Sequence, residues 1–256
     1  KVVIDASGDA TVMHRAGVPT VIGKNYMTYV AHYCDLEAAE KLCKDGDFSS
    51  FRKWMSTGSD MFGNGHPEGM DMLTGETAEE ITAYMTEGKK TLLKRVEKMD
   101  KNSFDVMTLP FMPQFRTIRH IKGDYSLKME DAYKHFDDSV CVINDFDHKD
   151  RLFEVPFRTM IDSDFDNIIA VGRCASAEGF AWDVLRVIPP AILTGQAAGT
   201  VCSECLKDMR TVKDTDIHKV QKLLENDNVT VHFDDELVPT DTENVEKMSV
   251  FEYEHI

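Results

Sequence analysis

Two turns, each placed directly after a short apolar strand, carry residues that could approach an electron-rich ligand. The run Ile168–Val171 is continuously apolar and bounded by polar residues, which predicts a strand buried on both faces. Gly172 follows at once, where a side chain would obstruct a close approach by a ligand or by another backbone segment. A second strand, Val2–Ile4, is followed by the small and polar segment Asp5–Ala10. A strand followed by a glycine turn is typical of a dinucleotide fold, although an ordinary strand-end turn would have the same composition.

A helix begun by two prolines could supply a further binding element. Pro189 and Pro190 suit the first turn of a helix, where missing N–H groups cost least. The end of such a helix carries positive potential, which favours a phosphate or another electron-rich group. Small residues then recur along the helix, and they predict that something packs very close to it: Ala191, Gly195, Ala197, Ala198 and Gly199.

A basic cluster stands out in an otherwise acidic protein. Arg116, Arg119, His120 and Lys122 lie within seven positions. Guanidinium groups bind carboxylates bidentately, so this cluster could contact an anionic substrate. The alternative is that the arginines pair with acids on the surface, as many arginines do. In a strand, Arg116 and Arg119 would point to opposite faces unless a bulge intervenes.

Two other motifs are weaker candidates for a catalytic or metal-binding role. Asp145, Asp147 and His148 form a polar turn that could hold a metal, but no further ligands are visible, so no metal site is predicted. His148 remains a candidate proton donor because histidine titrates near neutral pH. Cys202 and Cys205 form a C-x-x-C motif inside the predicted helix, and we expect buried helical cysteines rather than a redox or metal site.

Capping residues and periodicity predict the supporting elements. Thr77 and Glu80 form a capping box that begins a long amphipathic helix ending near Met99. Asp35 should cap a helix ending before Gly46, and Asp47 a helix that buries Phe48, Phe51, Trp54 and Met55. Strands are predicted at 26–33, 104–109, 140–143, 151–157 and 229–233. Further helices are predicted at 10–17, 130–137 and 216–224, and 239–256 should form an acidic tail.

Composition excludes several classes of partner. The 256 residues include 29 basic and 45 acidic side chains, giving a net charge of −16. Nucleic acids and anionic membrane surfaces repel such a chain, so neither is an expected partner. No apolar run is long enough to cross a membrane, and the six cysteines are scattered. A cytoplasmic protein with free thiols is therefore expected.

Taken together, several segments resemble the FAD-dependent oxidoreductases of the glutathione-reductase-like superfamily, in particular a broad bacterial group. The resemblance rests on residues 2–10, 116–127, 145–148, 168–173 and 185–199. It implies that the flavin carries the redox chemistry and that a small-molecule substrate exchanges a hydride with it. It implies Arg116, Arg119 and His148 as candidate catalytic residues. The cofactor contacts that it implies are Ala6, Ser7, Gly8, Asp9, Gly172, Arg173, Arg186, Val187, Ile188 and Pro189.

One expected motif of this family is not found. The family holds the FAD pyrophosphate with a strand, a G-x-G-x-x-G turn and a helix. Gly63–Glu68 lacks both the third glycine and a preceding strand, and Gly195–Gly199 lies on a helix face. We therefore expect the C-terminal portion of a longer flavoenzyme, which as given would hold FAD weakly or not at all.

The predicted fold class is α/β, an incomplete FAD-binding Rossmann-like domain with an inserted α+β substrate domain. Residues 1–20 and 160–206 would form the remnant of the FAD-binding domain, 21–159 the substrate domain, and 207–256 a C-terminal helix, strand and acidic tail. The alternative function is a catalytically silent fragment that folds without FAD. Whether the chain forms a homo-oligomer is left open.

Overall fold

The protein is described by a computed structural model that covers residues 1–60, 63–146 and 151–238. It is a mixed α/β structure with small sheets, and six α-helices lie in these residues. The helices are α1 Thr11–Arg15, α2 Leu36–Asp45, α3 Ala78–Val96, α4 Gly179–Leu185, α5 Ile188–Lys207 and α6 Ile217–Asn226. The strands are β1 Val3–Asp5, β2 Thr20–Ile22, β3 Thr28–Asp35, β4 Lys53–Gly58, β5 Phe104–Thr108, β6 Arg119–Ile121, β7 Ser139–Asn144, β8 Leu152–Pro156 and β9 Ile168–Ala170.

The chain divides into two compact units. One unit combines Lys1–Gly23 with Arg119–Ile256, and the other is Lys24–Ile118. The compact insertion is therefore shorter than the predicted span 21–159, because β7 and β8 pack into the core of the first unit. The functional roles assigned to the two parts remain predictions.

The first unit is organised around β1 and β9, which pair in parallel with Val3 opposite Ile168. β9 is buried along its whole length, as its apolar run predicts. The α5 helix packs against the antiparallel hairpin of β7 and β8, and α6 packs on α5. Together these elements enclose the largest cluster of buried apolar side chains in the described residues.

The second unit is a three-stranded antiparallel sheet, ordered β4-β3-β5, with α3 packed against it. Tyr84 on α3 is fully buried, and its hydroxyl donates a hydrogen bond to the Thr28 carbonyl on β3. Thr77 caps α3 by accepting the Glu80 N–H at 3.2 Å, which confirms the predicted start of the helix. Asp35 likewise caps α2, and Gly46 ends that helix in a left-handed conformation.

Several predicted elements are wrong. The segment after Asp47 forms β4 rather than a helix, and Phe48 and Trp54 are exposed rather than part of a core. Residues 229–233 form no strand, although Val142 on β7 donates to the Thr230 carbonyl at 2.8 Å. The predicted helix 130–137 is one short turn, Met129–Asp131. The predicted tail 239–256 lies outside the described residues.

No helix among the described residues combines the length and the apolar character that crossing a bilayer requires. The parallel pairing of β1 and β9 places their carboxyl ends side by side on one edge of the first unit.

Candidate functional site

The two glycine turns predicted from the sequence lie next to each other. β1 and β9 run in parallel and in register from Val3 with Ile168 to Asp5 with Ala170. The carboxyl ends of parallel strands meet at one edge of a sheet, so the turns after them, at Gly8 and Gly172, share that edge. In open α/β sheets this edge is where ligands bind.

Arg173 ties the two turns together. Its Nε donates to the Gly8 carbonyl at 2.5 Å, and its Nη2 lies 2.7 Å from an Asp9 carboxylate oxygen. Gly8 has φ of +82°, and a Cβ there would lie 3.1 Å from the Arg173 Nε. A larger residue at Gly8 would therefore strain the backbone and press on the guanidinium group.

The buried side chain of Asp5 holds the first turn in position through hydrogen bonds to its backbone. It is fully buried, and its carboxylate accepts the Ser7 N–H at 2.9 Å and the Met13 N–H at 2.8 Å. The Ser7 hydroxyl accepts the Thr11 N–H at 2.8 Å, at the start of α1. The side chains of Asp5 and Ser7 thus satisfy backbone donors that the turn and the helix start would otherwise leave unpaired. Sequence reasoning did not assign this role to Asp5.

The second turn contacts helix α5 rather than open space. Gly172 has φ of +58°, and its N–H donates to the Thr194 hydroxyl at 2.9 Å. A Cβ on Gly172 would lie 3.2 Å from the Cβ of Ala191. The glycine is therefore required by a close approach of α5, one of the two explanations that the sequence allowed. Thr194 was not predicted, because a threonine inside a helix carries no signal of its partner.

The start of α5 offers fewer hydrogen-bond donors than the sequence suggested. Pro189 and Pro190 have no N–H, and the Ala191 N–H donates to the Val187 carbonyl at 3.1 Å. Ile188, 76% exposed, is the first-turn residue whose N–H points out of the helix end. Any ligand here would interact with one or two N–H groups and with the helix dipole.

A short helix, α4, separates the second turn from α5 and was not predicted. Trp182 on α4 donates its indole N–H to the Arg173 carbonyl at 2.9 Å. Arg186, at the end of α4, pairs with Asp183 through its Nε at 2.7 Å. Predicted cofactor residue Arg186 is thus held by a neighbouring acid in this structure.

The small residues of α5 have two different surroundings. Ala197 and Ala198 are buried in the core, as close packing predicts. A Cβ at Gly195 or Gly199 would meet no atom of the described residues within 4 Å. The prediction that something packs closely on α5 therefore holds for the alanines, and the described part of the chain leaves these glycines uncovered.

The predicted catalytic residues belong to two different units and to a segment outside the described residues. Arg116 belongs to the second unit, where one guanidinium nitrogen donates to the Gln114 carbonyl at 3.2 Å. Arg119 lies on β6 in the first unit, opposite Ile22 of β2. His148 lies outside the described residues. Their roles remain predictions.

The basic cluster is also less charged than its sequence implies. His120 is 3% exposed, its Nδ1 lies 2.6 Å from the Ile121 carbonyl, and its ring packs edge-on against Trp182. Burial lowers the pKa of His120, because the apolar surroundings disfavour the imidazolium form. His120 is therefore a neutral core residue at physiological pH.

The C-x-x-C cysteines are buried. Cys202 and Cys205 are 9% and 1% exposed, and neither forms a disulfide. Burial raises the pKa of Cys202 to about 11, so its reactive thiolate form is scarce at neutral pH. This arrangement agrees with the expectation of shielded helical cysteines.

A cleft of about 750 Å³ lies elsewhere in the first unit and was not predicted. Asp138, Arg158 and Lys213 line it together with several apolar and acidic residues, and none of the predicted cofactor residues does. Its walls come from segments far apart in the sequence, so no local motif could have indicated it.

Comparison with known families identifies the class of protein. The model of the FAD dependent oxidoreductase family matches residues 45–224, well over half of the chain. The chain therefore belongs to this family, and membership implies a redox function that uses FAD. The matched span includes the Gly172 turn and the start of α5 but not the turn at residues 6–9. No curated protein and no solved structure matches the chain.

Proposed function

We propose that this chain is the C-terminal part of an FAD-dependent oxidoreductase that transfers a hydride between FAD and a small organic substrate. The observation that carries the proposal is the convergence of the Gly8 and Gly172 turns at the carboxyl ends of two parallel strands. The family match supports the class of chemistry.

The residues of this edge fit a flavin nucleotide in three respects. Ala6 and Ser7 are exposed and Gly8 and Asp9 are half-buried, whereas Asp5 beneath the turn is buried and fixed. Gly8 adds no side chain of its own to the turn, so the Arg173 guanidinium is the group that lies against its backbone. The start of α5 presents positive potential beside the exposed Ile188. Ala6, Ser7, Gly8, Asp9, Gly172, Arg173, Arg186, Val187, Ile188 and Pro189 are the residues that we propose to hold FAD.

When bound, FAD would supply the electron-pair chemistry, which no side chain can carry alone. The chain's own residues would orient it and stabilise negative charge. The dipole of α5 favours an anionic group near Ile188. Arg173 neutralises Asp9, which prevents the Asp9 carboxylate from repelling an anionic cofactor.

A negatively charged substrate is the class that we propose, with Arg116 and Arg119 as its contacts and His148 as a proton donor. Guanidinium groups bind carboxylates with two parallel hydrogen bonds, which would orient the substrate. This part rests on the sequence pattern and on the resemblance.

The open edge of β1 supports the proposal that further strands complete this sheet. Within the described residues β1 pairs with β9 alone. Val3 and Ile4 are 42% and 41% exposed, although they belong to a parallel strand. Parallel sheets are normally buried on both faces, so a covering segment is expected here.

The alternative is a silent scaffold that folds without FAD. It is favoured by one observation: the Gly172 N–H and the Arg173 guanidinium are already engaged by Thr194, Gly8 and Asp9. A site whose donors are satisfied internally gains less from binding a ligand.

The test is the flavin content of the protein, expressed as the product of its complete gene. We expect flavin absorbance that survives desalting. In the Ile188→Asp variant, we expect FAD binding to be about 2- to 5-fold weaker, which corresponds to the contribution of about 0.3–1 kcal/mol that a charge makes near a helix end. Ile192→Asp is the matched control, because Ile192 is also exposed but lies one turn further along α5.

The two outcomes separate the general proposal from its details. A protein that takes up no FAD would overturn the proposed function and favour the silent scaffold. A protein that binds FAD equally well in both variants would retain the function but overturn the placement of the flavin at α5. An aspartate in the first turn also stabilises the helix itself, so weaker binding by Ile188→Asp could not be ascribed to unfolding.

A further inference from the structure

Three side chains far apart in the sequence converge in the first unit. Glu154 on β8 is fully buried. The Nδ1 of His135 lies 2.6 Å from one of its carboxylate oxygens, and the Nδ1 of His232 lies 3.0 Å from the other. One potential ligand atom from each of the three residues lies within 4.8 Å of the others.

The surroundings hold this cluster in position. The Nε2 of His135 lies 3.0 Å from the Asp235 carboxylate, and its ring stacks on Phe233 with centroids 4.2 Å apart. The Phe136 N–H donates to Glu154 at 2.7 Å. In metal sites, a carboxylate that accepts the second N–H of a histidine fixes the tautomer and leaves the other nitrogen free to bind the ion. Asp235 stands in that position relative to His135.

We propose that His135, Glu154 and His232 bind a divalent transition-metal ion of the zinc class. Two imidazole nitrogens and one carboxylate oxygen are a donor set that suits Zn²⁺, while Mg²⁺ and Ca²⁺ prefer oxygen ligands alone. The ion replaces the protons shared between each Nδ1 and the carboxylate. A small adjustment is required, because tetrahedral ligands at about 2.0–2.2 Å from zinc stand further apart than hydrogen-bonded atoms do.

The site would fasten the segment after α6 to the hairpin of β7 and β8. His232 and Asp235 belong to that segment, and Glu154 belongs to β8. Three protein ligands leave a fourth position for water or another small ligand. His135 also lines the cleft of about 750 Å³, so an ion bound here would lie beside that cleft. The site shares no residue with the proposed flavin site and does not depend on it.

The test measures metal binding directly. The purified protein, stripped with a chelator, would be titrated with Zn²⁺ by calorimetry and with Co²⁺ by absorption, since a tetrahedral Co²⁺ site has intense visible bands. Both titrations should use a Cys34→Ser/Cys43→Ser background, because these cysteines are the more exposed ones and bind metals nonspecifically. Mg²⁺ is the negative control.

The variants separate direct ligands from a supporting residue. His135→Ala and His232→Ala remove ligands that are 43% and 41% exposed, so both proteins should still fold. Asp235→Asn removes the outer carboxylate and should weaken binding by about 10- to 100-fold. His218→Asn is the matched control, an exposed histidine in the same unit outside the cluster, and should bind as the background protein does.

The expected result is one Zn²⁺ per chain, binding weakened more by each histidine variant than by Asp235→Asn, and unchanged binding in His218→Asn. Absence of stoichiometric Zn²⁺ binding would overturn the proposal and leave a hydrogen-bonded network with Glu154 at its centre. Binding that is equally strong in His135→Ala, His232→Ala and His218→Asn would also overturn it, since the ion would then be held elsewhere.

Discussion

The pairing of Arg173 with Asp9 can be tested as an energetic link between the two turns. Arg173 and Asp9 side chains are 30% and 29% exposed, so their interaction is neither fully screened nor fully buried. Fully exposed ion pairs contribute about 0.2–1 kcal/mol, and hydrogen bonds to charged groups about 1.5–3 kcal/mol. With one such bond to the Gly8 carbonyl and one to Asp9, we expect Arg173→Gln to lower the free energy of unfolding of the first unit by about 2 kcal/mol.

A double-mutant cycle isolates the charge pair from the rest of this effect. Asp9→Asn, Arg173→Gln and the double variant should give a coupling energy of about 1 kcal/mol, which lies within the usual range for residues in contact. The bond from Arg173 to the Gly8 carbonyl remains in Asp9→Asn, so the cycle measures the Asp9 contribution alone. Arg15→Gln, which changes an exposed arginine in the same unit, should alter stability by less than about 0.5 kcal/mol.

The assay can be made specific to the first unit. The chain has two tryptophans, and Trp54 lies in the second unit. In a Trp54→Phe background, the fluorescence of Trp182 follows urea unfolding of the first unit, close to the Arg173 carbonyl that it contacts. Additive effects, with a coupling energy below about 0.3 kcal/mol, would refute the claim that Asp9 and Arg173 stabilise each other.

Three further predictions concern packing, thiol reactivity and pH. Gly88→Ala should destabilise the second unit by about 1–3 kcal/mol, because the new Cβ would lie 2.2 Å from the Tyr29 ring. Gly195→Ala on α5, where a Cβ would meet no atom within 4 Å, should stabilise the first unit by about 0.5–1 kcal/mol. Urea midpoints check both changes, and equal effects on stability would contradict the close packing of α3. A thiol reagent at neutral pH should modify Cys43 and Cys34 but not Cys202 or Cys205 until the protein unfolds, and rapid modification of Cys202 would show that α5 does not shield it. The lowered pKa of His120 means that the unfolded chain binds the proton more tightly, so its contribution to stability is present above the ordinary histidine pKa of about 6.5 and is lost as the pH falls below it. His120→Asn should therefore show a smaller loss of stability between neutral and mildly acidic pH than the wild type, and an unchanged slope would contradict burial of the neutral ring.

Elements with strong local signals were predictable from the sequence. The capping residues Asp35 and Thr77 fixed the starts of α2 and α3, because a side chain that accepts a backbone N–H acts within three residues. The apolar run at 168–171 and the two prolines at the start of α5 are also local signals, and they predicted strand β9 and helix α5. Of these elements, the strand at 168–170 and helix α5 also position the candidate cofactor site.

The errors arose where tertiary contacts decide the structure. Met55 is fully buried on β4 whereas its neighbour Trp54 is exposed, an alternation that the aromatic residues of this short segment concealed. Residues 229–233 have strand-like composition, but they bond to the β7 region through few backbone groups and so form no ladder. The compact unit Lys24–Ile118 differs in extent from the predicted span 21–159, because strand pairing across long separations carries no local signal.

The candidate site was predictable only in outline. The positions of the two turns followed from glycines after apolar strands, and their adjacency follows from the parallel pairing of β1 with β9. The engagement of the Gly172 N–H by Thr194 could not be anticipated, since the partner lies more than twenty positions away. The cluster of His135, Glu154 and His232 joins three distant segments and matches no ligand spacing.

The pairing of β2 with β6 has a consequence for how such a chain can vary. β2 ends at Ile22 and β6 begins at Arg119, and these two residues are register partners. The polypeptide therefore leaves the first unit and returns to it at almost the same point, with Lys24–Ile118 spliced in between. Because the two connections lie side by side, the unit Lys24–Ile118 could be exchanged, enlarged or replaced by a short turn with little disturbance to β1 and β9. The inserted unit could thus change in length and sequence while the turns at Gly8 and Gly172 stay the same.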